Sequence, residues 1–118
     1  MHRTWLGAVV AALLLLGNGA ASAHAFLDRA EPRVGSIVAV APREVALSFT
    51  ENLEPTFSTI EVTDSAGRRV DGGKPSIAGN KMRVPLQDLP AGTYQVKWHV
   101  LSVDTHVSEG SFSFQVRP

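Results

Sequence analysis

Three residues in two distant parts of the chain, His24, Asp104 and His106, have the types and spacing to hold a metal ion. His24 follows Ala21-Ser22-Ala23, the small-x-small pattern after which signal peptidase cuts, so processing there makes it the first residue of the mature chain. A histidine in that position offers two nitrogens, its free α-amine and its imidazole Nδ1, which together close a six-membered chelate ring. An internal histidine has no amine to give. Far downstream, Ser102-Val103-Asp104-Thr105-His106 puts Asp104 and His106 at i and i+2. In an extended segment both side chains leave from the same face. One carboxylate and one imidazole would then complete the coordination plane that His24 begins.

The donor set also selects the metal. Three nitrogens and one oxygen without sulfur favour Cu(II), whose preferred arrangement is tetragonal and which tops the divalent affinity order at such sites. Cu(I) prefers softer donors. The chain has no cysteine, and Met82 is the one methionine after the leader, so a methionine-rich cuprous site is not expected. The absence of cysteine also excludes a disulfide framework, a thiolate metal site, an iron–sulfur cluster and a cysteine nucleophile.

The leader itself is read from composition. His2 and Arg3 make a short basic start, and Trp5 to Leu16 is an apolar run interrupted by Gly7, too short to span a bilayer comfortably. Residues 1–23 are therefore expected to be a cleaved signal peptide and 24–118 an exported domain, periplasmic or otherwise. The whole chain has 11 basic and 11 acidic residues among 118, and loss of Arg3 leaves ten against eleven. Such a balance suggests no nucleic-acid partner. The remaining 95 residues must form one small domain held by packing alone.

The elements that would position these donors are strands. Val45, Leu47 and Phe49 alternate with polar or small neighbours, as do Ile60 and Val62, then Tyr94, Val96, Trp98 and Val100, then Phe112, Phe114 and Val116. Turn chemistry separates them: Glu31-Pro32 with Gly35, Ala41-Pro42, Ser65-Ala66-Gly67, Asp71-Gly72-Gly73, Ala78-Gly79-Asn80 and Leu89-Pro90-Ala91-Gly92. No stretch reads as an amphipathic helix of useful length. The pattern predicts an all-β Greek-key sandwich of about seven strands, with long loops at 52–57 and 71–80. His99 shares a strand face with Gln95 and Lys97 and reads as a surface residue, whereas Tyr94 and Trp98 read as core aromatics.

Taken in order, these segments resemble the CopC-type periplasmic copper-binding proteins, the copper resistance protein C family. The resemblance runs through His24, Ala30-Glu31-Pro32-Arg33-Val34-Gly35, Phe49-Thr50-Glu51-Asn52-Leu53, Leu89-Pro90-Ala91-Gly92-Thr93-Tyr94 with Val96 and Trp98, and Ser102 to His106 followed by Gly110. It implies an immunoglobulin-like β-sandwich binding one Cu(II) per mature chain through His24, Asp104 and His106. Glu51 matches a family acidic residue near the copper, as a direct or an outer ligand. A CopD-like inner-membrane copper protein is the implied partner, and a carrier or buffer in copper homeostasis and resistance is the implied role. One departure stands out: residues 63–76, where some relatives carry a methionine-rich Cu(I) loop, contain neither methionine nor histidine.

Two other classes compete with this binding protein. A histidine brace also serves copper-dependent polysaccharide monooxygenases, but oxygen chemistry needs an open coordination position that Asp104 would fill, and a small domain leaves little room for a carbohydrate platform. No enzyme activity is expected. A metal-free sandwich used for adhesion is the third reading.

Overall fold

The computed structural model describes residues 26–118, so the expected leader at 1–23 and His24 lie outside the described residues. Among the described residues the chain forms eight strands and one 3₁₀ turn: β1 (Leu27–Glu31), β2 (Ile37–Val38), β3 (Glu44–Phe49), the turn at Pro55–Phe57, β4 (Thr59–Asp64), β5 (Ser76–Ala78), β6 (Lys81–Pro85), β7 (Gly92–Leu101) and β8 (Val107–Val116). They make two four-stranded sheets, ordered β1-β3-β6-β5 and β2-β8-β7-β4. All pairings are antiparallel except that of β2 with β8. The expected all-β sandwich is therefore the observed architecture, its strand count raised by the two-residue β2.

The two-residue period explains why the sheets stack. Successive side chains on a strand point to opposite faces, so alternating sequences present one apolar face each, and the two faces close on one another. Val45, Leu47 and Phe49 of β3 with Met82 and Val84 of β6 are buried from one sheet; Ile60, Val62, Tyr94, Val96, Val100, Phe112, Phe114 and Val116 are buried from the other. Tyr94 stacks on Phe114 with ring centroids 5.5 Å apart, and its hydroxyl donates to the carbonyl of Pro90 at 2.5 Å. That bond lets a phenol be buried without losing its polar partner.

Trp98 is half-buried at the rim of this core, edge-on to Phe49 at 6.1 Å and 6.2 Å from Phe112. Its indole lies across Gly110 of the neighbouring strand, where a Cβ would stand 2.5 Å from the ring. Only glycine leaves space for the ring at that position.

The loop expected at 71–80 contains β5, a three-residue edge strand turned onto β6 by Gly79 and Asn80. Gly79 has φ +63, the left-handed value that the first position of a tight primed hairpin turn demands. The free edge of β4 is covered by the segment after it. Val70 donates to the Val62 carbonyl at 2.8 Å, and the Val62 N–H donates to Oδ2 of Asp71 at 2.9 Å. Arg69 grips both oxygens of the same carboxylate, at 2.8 and 2.9 Å. Burial pushes the Asp71 carboxyl up, but the bonds from Arg69 and the Val62 N–H outweigh it and hold it below the usual value.

Candidate metal centre

One pole of the sandwich gathers four segments: the start of β1, the loop after β3, the β5–β6 turn and the β7–β8 turn. Phe26 is clamped to Thr50 twice, its N–H donating to Oγ1 at 2.9 Å and its carbonyl accepting from the Thr50 N–H at 2.9 Å. Three residues on, Leu53 donates to the Gly79 carbonyl at 2.9 Å, and the Asn80 side chain donates to the Phe49 carbonyl at 2.7 Å. Across the gap between sheets, Val103 donates to the Asn52 carbonyl at 2.9 Å and Glu54 to that of Leu101 at 2.8 Å, while Leu53 bridges Ser102. Buried Ser58 adds a tie, its Oγ accepting from Leu101 N–H at 3.1 Å. The loop carrying Glu51 is thereby sewn to the N-terminal strand on one side and to the β7–β8 turn on the other.

That turn differs from the extended segment expected of it. The Ser102 N–H donates to the His106 carbonyl and the Thr105 N–H to the Ser102 carbonyl, each at 2.9 Å, which closes a three-residue hairpin loop. Such a loop needs its last residue in the left-handed region, and Thr105 supplies it at φ 73, a costly conformation for a β-branched side chain. Asp104 and His106 still come together, through the turn rather than along a strand. Oδ2 of Asp104 lies 3.4 Å from Nδ1 of His106, with the two side chains 42% and 45% exposed. Oδ1 accepts from the Ser102 hydroxyl and faces the His106 N–H at 3.4 Å. The Ser102 bond is the chief reason that the Asp104 carboxyl is held below the usual carboxylate value; slight burial opposes it, and His106 assists.

A carboxylate beside an imidazole nitrogen can share an ion with it or orient the ring for its other nitrogen. The carboxylate alone would serve a hard cation, but the imidazole beside it favours a transition ion such as copper. Glu51 is exposed in the neighbouring loop, yet among the described residues no three or more His, Asp or Glu side chains form a group able to hold an ion. The described part of the pole thus supplies one adjacent nitrogen and oxygen pair. His99 is exposed on the outer face of β7, opposite Thr59 and Glu109, and apart from this turn. Ser102 and Thr50 were not singled out by sequence; a serine two residues before an aspartate in a turn is the signal that could have found the first.

The fold is a small two-sheet β-sandwich with an adjacent nitrogen and oxygen donor pair at one pole, and comparison with known proteins gives its family. The chain matches the CopC domain family over residues 27–117. It is 36% identical over 118 residues to copper resistance protein C of Xanthomonas campestris pv. juglandis, covering 92% of each chain. It superposes on the crystal structure of CopC from Methylosinus trichosporium OB3b with a TM-score of 0.75 at 35% identity, over 80% of this chain and 95% of that one. It is also 34% identical over 98 residues to the copper transport protein CutJ of Bacillus subtilis, covering 80% of this chain but 18% of that protein. The chain belongs to the CopC family of copper-binding and copper-resistance proteins.

Proposed function

We propose that the chain, cut after Ala23, holds one Cu(II) ion through the α-amine and imidazole of His24, the carboxylate of Asp104 and the imidazole of His106. The observation that carries this reading is the double clamp between Phe26 and Thr50. It fixes the chain two residues after His24, beside the Glu51 loop that is bonded to the turn holding Asp104 and His106. Two residues of extended chain reach about 7 Å, enough to bring a terminal histidine over such a pole. Glu51 stands next to Thr50 and acts on the ion directly or through the ligands. The mature domain is then 24–118, exported to the periplasm.

Copper is cargo in this proposal, and no reaction is assigned to it. The domain buffers or carries copper for resistance and passes it to an inner-membrane partner of the CopD type. The match within the longer copper transport protein CutJ supports that pairing, since there a segment like this one forms part of a transport protein. With no sulfur donors beyond Met82, the same domain offers no built site for Cu(I).

The test compares two purified chains, one beginning at His24 and one retaining Ala23, titrated with Cu(II) against a competing chelator. The first is expected to take up one equivalent tightly. In the second the His24 nitrogen is an amide, a poor donor unless deprotonated, so the chelate is lost and affinity falls far. Equal affinity in the two chains would remove His24's amine from the site.

A further inference from the structure

We propose that Ser102 is a positioning residue for the copper site: its buried hydroxyl holds Oδ1 of Asp104, so that the carboxylate turns Oδ2 alone toward the ion and His106. Ser102 is 0% exposed at the end of β7, and its backbone is fully committed, the N–H to the His106 carbonyl and the carbonyl to the Thr105 N–H. The side chain therefore has little freedom. Its single proton has two acceptors in reach, the neutral His106 carbonyl at 3.2 Å and the Asp104 carboxylate. The charged acceptor makes the stronger bond. The His106 N–H approaches the same Oδ1 at 3.4 Å, so this oxygen is engaged from two directions.

The consequence lies in what the carboxylate has left to offer. With Oδ1 occupied by these bonds and turned toward Ser102, the bidentate mode that large hard cations use is disfavoured. A single oxygen beside an imidazole remains, as a tetragonal copper site requires. An aspartate on an exposed turn would otherwise sample several rotamers and lose that freedom on binding. Ser102 removes this freedom in advance, from a position that never touches the ion.

The inference rests on the copper reading above and is tested by a double-mutant cycle on the chain beginning at His24. Cu(II) affinity is measured by chelator competition for wild type, Ser102→Ala, Asp104→Ala and the double variant, and each copper-loaded protein is examined by electron paramagnetic resonance. Ser102→Ala is expected to weaken binding roughly 10-fold, the lower end for loss of a group that orients a metal ligand, and to shift the copper spectrum. In the Asp104→Ala background the same change is expected to cost nothing more. Ser102→Gly repeats the cycle should the alanine protein fail to fold. An equal loss in both backgrounds, or wild-type affinity and spectrum in Ser102→Ala, would overturn the positioning role while leaving the copper site intact. A wild-type chain that retains no Cu(II) would overturn both.

Discussion

Replacing Gly110 by alanine should destabilise the domain by about 1 to 3 kcal/mol, the usual cost of forcing an extra methyl into a packed site. The added Cβ would lie 2.5 Å from Cζ2, 2.8 Å from Cη2 and 3.2 Å from Cε2 of Trp98. Nothing about an indole lets it yield by bending, and Phe49 and Phe112 pack against it. Two escapes exist. Either β8 moves away from β7, straining the ladder that pairs Trp98 with Gly110, or the half-buried ring swings outward. The second route uncovers apolar surface, and exposing roughly 60 Å² of an aromatic ring costs about 1.5 kcal/mol at about 25 cal/mol per Å². Both routes therefore reach the same range. For a domain of this size that corresponds to a drop in Tm of about 5 to 20 °C.

Urea unfolding of the chain beginning at His24, followed by the fluorescence of Trp98, measures the effect directly, since removal of the leader also removes Trp5. The midpoint should fall with the slope unchanged. Cu(II) affinity at low temperature should persist, because Asp104 and His106 lie beyond the Leu101–Val107 pair that ends the ladder. A wild-type midpoint together with an unchanged near-ultraviolet dichroism of Trp98 would refute the packing argument.

Thr105→Gly should raise stability by about 0.5 to 1 kcal/mol, because relief of roughly 1 to 2 kcal/mol of left-handed strain exceeds the added flexibility of the unfolded chain; thermal melting of the metal-free protein checks it. Asp71→Ala should cost about 1 to 3 kcal/mol at neutral pH by leaving the Val62 N–H and Arg69 without their acceptor. Since the folded-state carboxyl lies below its unfolded value, that contribution is present above about pH 4 and lost as pH falls through the folded value, so the stability gap from wild type should narrow in acid. Cu(II) affinity should fall steeply from about pH 7 to about pH 5, as protons compete for an α-amine of reference pKa about 7.7 to 8.0 and imidazoles near 6.5. A site made of Glu51, Glu54 and Asp104 carboxylates would give a nearly flat titration over that window.

What could be read from sequence follows from how each strand is held. β3, β4, β7 and β8 each carry at least two inward apolar residues in strict alternation, so their side chains announce them. β6 alternates as strictly, with Met82 and Val84 buried among exposed Lys81, Arg83 and Pro85, but its Lys, Met and Arg lack the β-branched residues that mark β4 and a proline closes it. β1 buries Ala30 alone, and β5 only half-buries Ile77; these edge strands exist because a neighbour's backbone pairs with them. At the candidate metal pole, side-chain spacing brings Asp104 and His106 together, whereas the turn that does so is hidden, because Thr105 occupies a position where glycine is the usual signal. Ser102 and Thr50 act through single hydroxyls placed by tertiary structure, and a lone hydroxyl leaves no period to detect.

The strain at Thr105 sits where the fold can bear it. β7 and β8 pair along ten positions each, from Gly92 with Val116 to Leu101 with Val107, and both bury their inner faces in the core. Against that ladder, roughly 1 to 2 kcal/mol for one left-handed residue is a small charge. The turn in exchange sets Asp104 and His106 side by side at 3.4 Å. The other side of the pole is built differently. Phe26 begins the described chain on two hydrogen bonds to Thr50, outside the regular pairing of β1, and its own side chain is about half exposed. On the reading proposed above, copper would lie between two fixed parts of the pole, the turn that holds Asp104 and His106 and the chain clamped to Thr50 at Phe26.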